Sequence, residues 1–152
     1  MPLTSALDFD DWIRALGPLV AAAEIRRYEA QTWLIVWADA LAVELDYEAD
    51  AGKVVLTAAV GRPPVGQETD LHRRLLVAGA EQPATRTRRL GLDGEGEINL
   101  IEDMPVADLS QDKLAQRLRT FASDARELRE GLSVEFTQVD DLPPPEAYFI
   151  RI

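Results

Sequence analysis

The stretch TWLIVWADALAVELDYEADAGKVVLTAAV, Thr32 to Val60, is dense in β-branched and aromatic residues and is broken twice by short polar or glycine-bearing points. TWLIVWAD, ALAVELDY and KVVLTAAV read as three consecutive strands of an antiparallel meander, with EADAG as the turn before the last. The first strand is apolar on both sides. Trp33, Ile35 and Trp37 project to one face, and Leu34, Val36 and Ala38 to the other. A sheet with helices on one side needs a single apolar face, so something must cover the second. A helix, the C-terminal tail, a partner subunit, or an apolar segment of another protein would each serve. In the last case the tryptophans are anchors; otherwise they are core. Trp37, near the strand end, is open to both readings.

Downstream, LGLDGEGEINLIED, Leu90 to Asp103, raises the question of a calcium loop. With Gly96 at position 6, Asp93, Glu95 and Glu102 fall at positions 3, 5 and 12, but position 1 falls on Gly91, which has no side-chain oxygen. The flanks alternate with period two, whereas an EF-hand needs helices. The stretch therefore reads as a β-hairpin turning at Asp-Gly-Glu-Gly.

Around these strands the period changes to that of helices. Phe9, Trp12, Ile13 and Leu16 recur at helical spacing, with Asp8, Asp10 and Asp11 near the positive helix start, until Gly17-Pro18 ends or kinks the run. AAAEIRRYEA, Ala21 to Ala30, is ambiguous and would extend the helix by a turn or two. Leu71, Leu75, Leu76 and Ala78 mark a second helix, ended with the help of Gly79 and Pro83. The longest helix carries Leu114, Leu118, Phe121, Ala122, Ala125 and Leu128, with Asp108 or Ser110 as its start and Gly131 as its C-terminal cap. The predicted order is α-β-β-β-α-β-β-α, an α+β domain with helices packed on a twisted antiparallel sheet. SVEFTQVDDLPPPEAYFIRI then adds a strand, a stiff triple proline and a final alternating segment.

Composition narrows the function. At 152 residues there is material for one well-filled core. A formal net charge of −11 repels phosphate backbones, which argues against nucleic acid despite the small cluster of Arg73, Arg74, Arg86, Arg88 and Arg89. The absence of cysteine removes disulfides, thiolate chemistry and cysteine zinc sites. Neither a signal peptide nor an apolar run long enough for membrane insertion is visible, so the expected product is soluble and cytoplasmic. The single histidine, His72, has no nucleophile or orienting carboxylate beside it in sequence, and no companion metal ligands. Among 27 acidic residues no acid–base pair stands out by spacing. No catalytic residue, metal ligand or cofactor-binding residue is singled out.

LTAAVGRPP at the end of the meander, LHRRLLVAGA in the second helix, LGLDGEGEINLIEDMPVADLS, and KLAQRLRTFASDARELREGL carry a family resemblance in their order. From Ser5 to Leu132 the chain resembles the type III secretion chaperones of the Tir-chaperone (CesT-like) family. It departs from them in carrying Gly79 where many relatives have Asn and in the longer VAAAEIRRYEAQ segment, and residues 133–152 form a C-terminal extension beyond the shared domain. The resemblance implies a homodimer formed through Leu71, Leu75 and Leu76 of the second helix and Leu90 and Leu92 of the hairpin. It implies no enzymatic activity and no cofactor. The implied partners are a second copy, the secretion ATPase, and a secreted effector whose N-terminal segment binds in extended form. Trp12, Leu16 and the strand residues Trp33, Leu34, Ile35, Val36 and Trp37 would receive that segment. Strand addition at a sheet edge suits such a client, because backbone hydrogen bonds tolerate varied sequences. Two other readings compete: a regulatory or structural protein of the same fold without a secretion client, and a calcium-dependent enzyme built on acidic clusters.

Overall fold

The computed structural model describes residues 6–81, 87–107 and 109–137. The chain enters through α1 (Ala6–Arg14) and the short α2 (Leu16–Val20). Four strands follow, β1 (Glu24–Glu29), β2 (Thr32–Val36), β3 (Ala42–Glu48) and β4 (Lys53–Gly61), then α3 (Glu68–Glu81). The hairpin strands β5 (Arg88–Leu92) and β6 (Ile98–Pro105) precede the closing helix α4 (Gln111–Thr137). The six strands form one antiparallel sheet in the order β1-β2-β3-β4-β6-β5. Because β6 pairs with both β4 and β5, the hairpin folds back to make β5 one edge, while β1 is the other.

The meander and the hairpin are those read from the alternation, and an α+β architecture is observed. Leu90 stands opposite Leu100, and Leu92 opposite Ile98. Asp93 Oδ1 accepts the backbone amides of Glu95 and Glu97, both at 2.9 Å, so the turn itself uses this carboxylate. These amide bonds hold the Asp93 carboxyl below its ordinary value.

One additional strand appears where the sequence was ambiguous. Ala, Glu and Arg favour helix in Ala21–Ala30, yet Glu24–Glu29 pairs along β2, with Ile25 opposite Ile35 and Arg27 opposite Trp33. Arg27 lies over the Trp33 ring, 5.7 Å from its centroid. Tertiary pairing overrides local preference here. Ala21, in the left-handed conformation at φ 53°, ends α2 and turns the chain into β1.

Two helix ends also differ from expectation. Gly131 does not stop α4, which runs on to Thr137 and takes in the start of the segment expected as a strand after it. The reason is packing. Leu128 and Leu132 rest against the core, and Leu132 Cδ1 lies 3.7 Å from where a Cβ on Gly61 would be. That contact outweighs the roughly 1 kcal/mol helix penalty of one glycine. The helix thus crosses the boundary expected at Leu132. Likewise α3 continues past Gly79 to Glu81. Ser110 starts α4, its Oγ accepting the Lys113 amide at 3.2 Å. The alternative cap Asp108, the stop Pro83 and the tail Pro143–Ile152 lie outside the described residues.

The core occupies one face of the sheet. Phe9, Ile13 and Leu16 from the first helices, and Leu114, Leu118 and Phe121 from α4, close over Trp33, Ile35, Val43, Leu45, Leu56 and Leu100. This settles the doubly apolar strand: the tryptophan side of β2 is core, and Leu34 and Val36 are on the other side, half-buried and outside the core cluster.

Candidate binding surfaces

The residues expected to receive a client divide into two groups. Leu16, Trp33 and Ile35 are fully buried. Trp33 donates its Nε1–H to Asp10 Oδ1 at 2.6 Å, which ties β2 to α1 and, with Arg14, holds the Asp10 carboxyl low. Phe9 packs against Trp33, Trp12 and Tyr47, with ring centroids 5.3, 5.4 and 4.5 Å away. Trp37 is only 7% exposed. Its Nε1–H is donated to the Val20 carbonyl at 2.9 Å, and the Arg126 guanidinium covers the ring at 5.7 Å. Asp39 clamps that guanidinium from the β2–β3 loop at 2.5 and 3.2 Å. The reading of Trp37 as a partly open anchor is therefore corrected: both its ring and its N–H are satisfied inside the fold. Trp12, Leu34 and Val36 are the members of the group with surface to offer.

The second group lies at the other edge. Leu71 is buried, Leu75 and Leu90 are half-buried against the core, but Leu76 is 76% exposed and Leu92 42%. Val77, 46% exposed, belongs with them, and Val65 in the loop before α3 is almost fully exposed. Neither was singled out in the sequence, although Val77 follows directly on the Leu75-Leu76 pair. Near the β1 edge, Leu19 and Tyr28 are also exposed apolar residues that sequence patterning missed. Tyr28 is isolated among polar neighbours, and Leu19 lies in an apolar run just after Gly17-Pro18, so neither gives a periodic signal.

Between the two edges, charged groups fasten the layers. Glu102 of β6 is fully buried yet faces α4. It accepts Arg88 Nη2 at 2.6 Å and Arg117 Nη1 at 3.0 Å, while Arg88 also pairs with Asp124 and lies over Phe121. A buried carboxylate is tolerable only with such partners. This network is structural. It joins α4 to β5 and β6 and leaves no carboxylate free for acid–base work.

Chemistry finds little purchase elsewhere. A depression of about 630 Å³ at the strand ends is lined by residues including Glu29, Thr32, Asp46, Tyr47, Glu48 and Asp50. A second, of about 540 Å³ between β6 and α4, is lined by residues including Thr87, Asp103, Lys113 and Arg117. In the first, the Thr32 hydroxyl donates to Asp46 Oδ1 at 2.5 Å, with no histidine or lysine among the lining residues. His72 Nε2 is buried and makes no hydrogen bond. Among the described residues no group of three metal-ligating side chains converges, and no helix is long and apolar enough to cross a membrane.

No curated protein sequence matches the chain. Solved structures do match in fold. The HopA1-SchA chaperone–effector complex contains a chain with TM-score 0.64 and 20% identity, the match covering 85% of this chain and 99% of that one. A chain of the ExsC-ExsE complex gives 0.69 and 15%, covering 87% and 97%. The Yersinia pestis type III secretion chaperone SycH, in complex with a fragment of YscM2, gives 0.55 and 17%, covering 79% and 98%. A family model, the Tir chaperone protein (CesT) family, matches residues 29–129, from the end of β1 through most of α4. That span is more than half of the chain, and with the shared fold it shows that the protein belongs to the Tir chaperone protein (CesT) family.

Proposed function

We propose that the protein is a type III secretion chaperone that binds the N-terminal segment of an effector and keeps it soluble and competent for export. The family match over residues 29–129 carries this reading. Structural neighbours solved as chaperone complexes support it. It acts in the cytoplasm, as a homodimer, without catalysis or cofactor. The α3 and β5 apolar residues, Leu76 and Leu92 foremost, are the surface a second copy covers, since leaving them in water gives up hydrophobic burial. The β1 edge, which no further described strand pairs, and its exposed Tyr28 receive an extended client strand. Trp12, Leu34 and Val36 add side-chain contacts, while Leu16, Trp33, Ile35 and Trp37 support that surface from beneath. A net charge of −11 keeps such a protein dispersed despite exposed apolar groups.

Affinity purification of the tagged protein from its native host, followed by mass spectrometry, tests this. The expected result is enrichment of a secreted protein whose N-terminal segment the chaperone protects from protease. Recovery of no secreted protein contradicts the reading.

A further inference from the structure

The sheet face turned away from the helices carries a charge imbalance. Leu34 of β2 lies opposite Glu44 of β3, and Glu44 opposite Thr57 of β4. Asp46 lies opposite Val55, which is opposite Asp103 of β6. The buried helix residues all join the core cluster on the other face, so among the described residues this face has apolar positions without a covering layer. Its carboxylates fall into two kinds. Asp103 is neutralised by Lys53 at 3.3 Å and Arg89 at 3.0 Å. Glu44 and Asp46 have no ion-pair partner among the described residues; Asp46 accepts the Thr32 hydroxyl at 2.5 Å and shares a hydrogen bond with Glu44. Partial burial, and then the neighbouring Asp46, push the Glu44 carboxyl above its ordinary value. The two carboxylates, with Glu29 adding to the negative charge, thus sit on a half-apolar surface where Arg26 of β1, opposite Leu34, forms no ion pair with either.

We infer that this face binds an amphipathic helical segment of the client, whose apolar stripe contains one Lys or Arg seated between Glu44 and Asp46. The inference rests on the chaperone reading and gives the client's chemistry. Location excludes the edge strand as the source of the cation. Neighbouring strands are about 4.8 Å apart, so a strand added beyond β1 would lie about 14 Å from β3, out of reach of a lysine. The cation must come from a segment lying across the face. There it finds no free backbone groups to pair with, which favours a helix that satisfies its own. Leu34 and Val36 take the apolar stripe. Binding of the cation favours the ionised form of Glu44, so affinity rises with pH through the range in which Glu44 titrates and falls with added salt.

The test uses a fluorescein-labelled amphipathic peptide of about 18 residues with a leucine stripe and one central Lys, and its Lys-to-Glu analogue. Wild type is compared with the Glu44→Gln/Asp46→Asn double variant, which removes repulsion and so folds at least as well. The expected result is that wild type prefers the Lys peptide by about tenfold or more, and that the double variant keeps less than about threefold. Equal affinity of wild type for both peptides, or binding of neither, overturns the inference. A preference that persists in the double variant also overturns it, because the general negative charge would then be responsible. So does a gain in affinity for both peptides on deleting residues 138–152, which would make the tail the occupant. Loss of the dimer in the double variant would instead assign the face to a second copy. If a client recovered from the host binds the double variant unchanged, this inference fails and the chaperone reading stands.

Discussion

Helices α4 and α3 read alike in the sequence, as leucine stripes, but the chain covers them very differently. Leu114, Ala115, Leu118, Phe121, Ala122 and Ala125 of α4 are all buried against the sheet, and Glu102 adds a charged anchor beneath. On α3, among the residues whose burial is described, only Leu71 is buried, while Leu76 and Val77 face water. A helix packed over the middle of a sheet can bury its whole stripe. One placed beside an edge strand, as α3 is beside β5, runs out of sheet. Helix α4 buries its stripe in the core, and α3 leaves apolar surface exposed, which the proposed dimer would cover.

Substitutions in α4 should break this contrast from the stable side. Phe121→Ala removes a fully buried ring and the platform under Arg88, and should cost about 3–5 kcal/mol in urea unfolding. Trp37→Ala belongs with it. The ring is enclosed, so the loss should appear as about 3–5 kcal/mol of stability. A stable Trp37→Ala protein with selectively weakened client binding would return this residue to the client surface.

The pH dependence gives a smaller and more local effect. The Arg126 hydrogen bonds hold the Asp39 carboxyl down at about 2, against an ordinary 3.8. A carboxyl that binds its proton more weakly when folded adds stability that is fully present above about pH 4 and disappears as pH falls through about 2. Asp39→Asn should therefore flatten the fall in Tm between pH 4 and pH 2. An unchanged slope would mean that the clamp over Trp37 adds nothing.

The smallest effects belong to the hairpin turn. Asp93→Ala removes the acceptor for two amides and should lower Tm by about 2–4 °C. Glu95→Gln loses only an exposed contact with Arg62 and should shift Tm by less than about 2 °C. A calcium-dependent rise in Tm abolished by either change would reopen the metal-loop reading.

The uneven legibility of the sequence has physical causes. Strands β2, β3, β4 and β6 and the stripe of α4 announced themselves because one face of each is buried, and burial imposes a period; β5 and α3 carry the same periods with their apolar face only partly covered. β1 did not, because an edge strand with Ile25 as its main inward apolar contact carries almost no alternation, and its Glu and Arg residues and the flanking alanines favour helix. The end of α4 was hidden because Leu132 packing overrides Gly131. For the site, patterning marked β2 as overly apolar but could not say which side was core. That choice depends on Asp10 and Val20 receiving the indole N–H groups of Trp33 and Trp37, contacts made across 23 and 17 residues of chain.

The division of labour between the two helices is most directly tested by light scattering of wild type and Leu76→Asp at micromolar concentration, with Tm measured on the same samples. The account predicts a wild-type mass of about twice 16.9 kDa, and a Leu76→Asp protein of monomer mass that remains folded at room temperature. A monomeric wild type, or a Leu76→Asp dimer as tight as wild type, would contradict it.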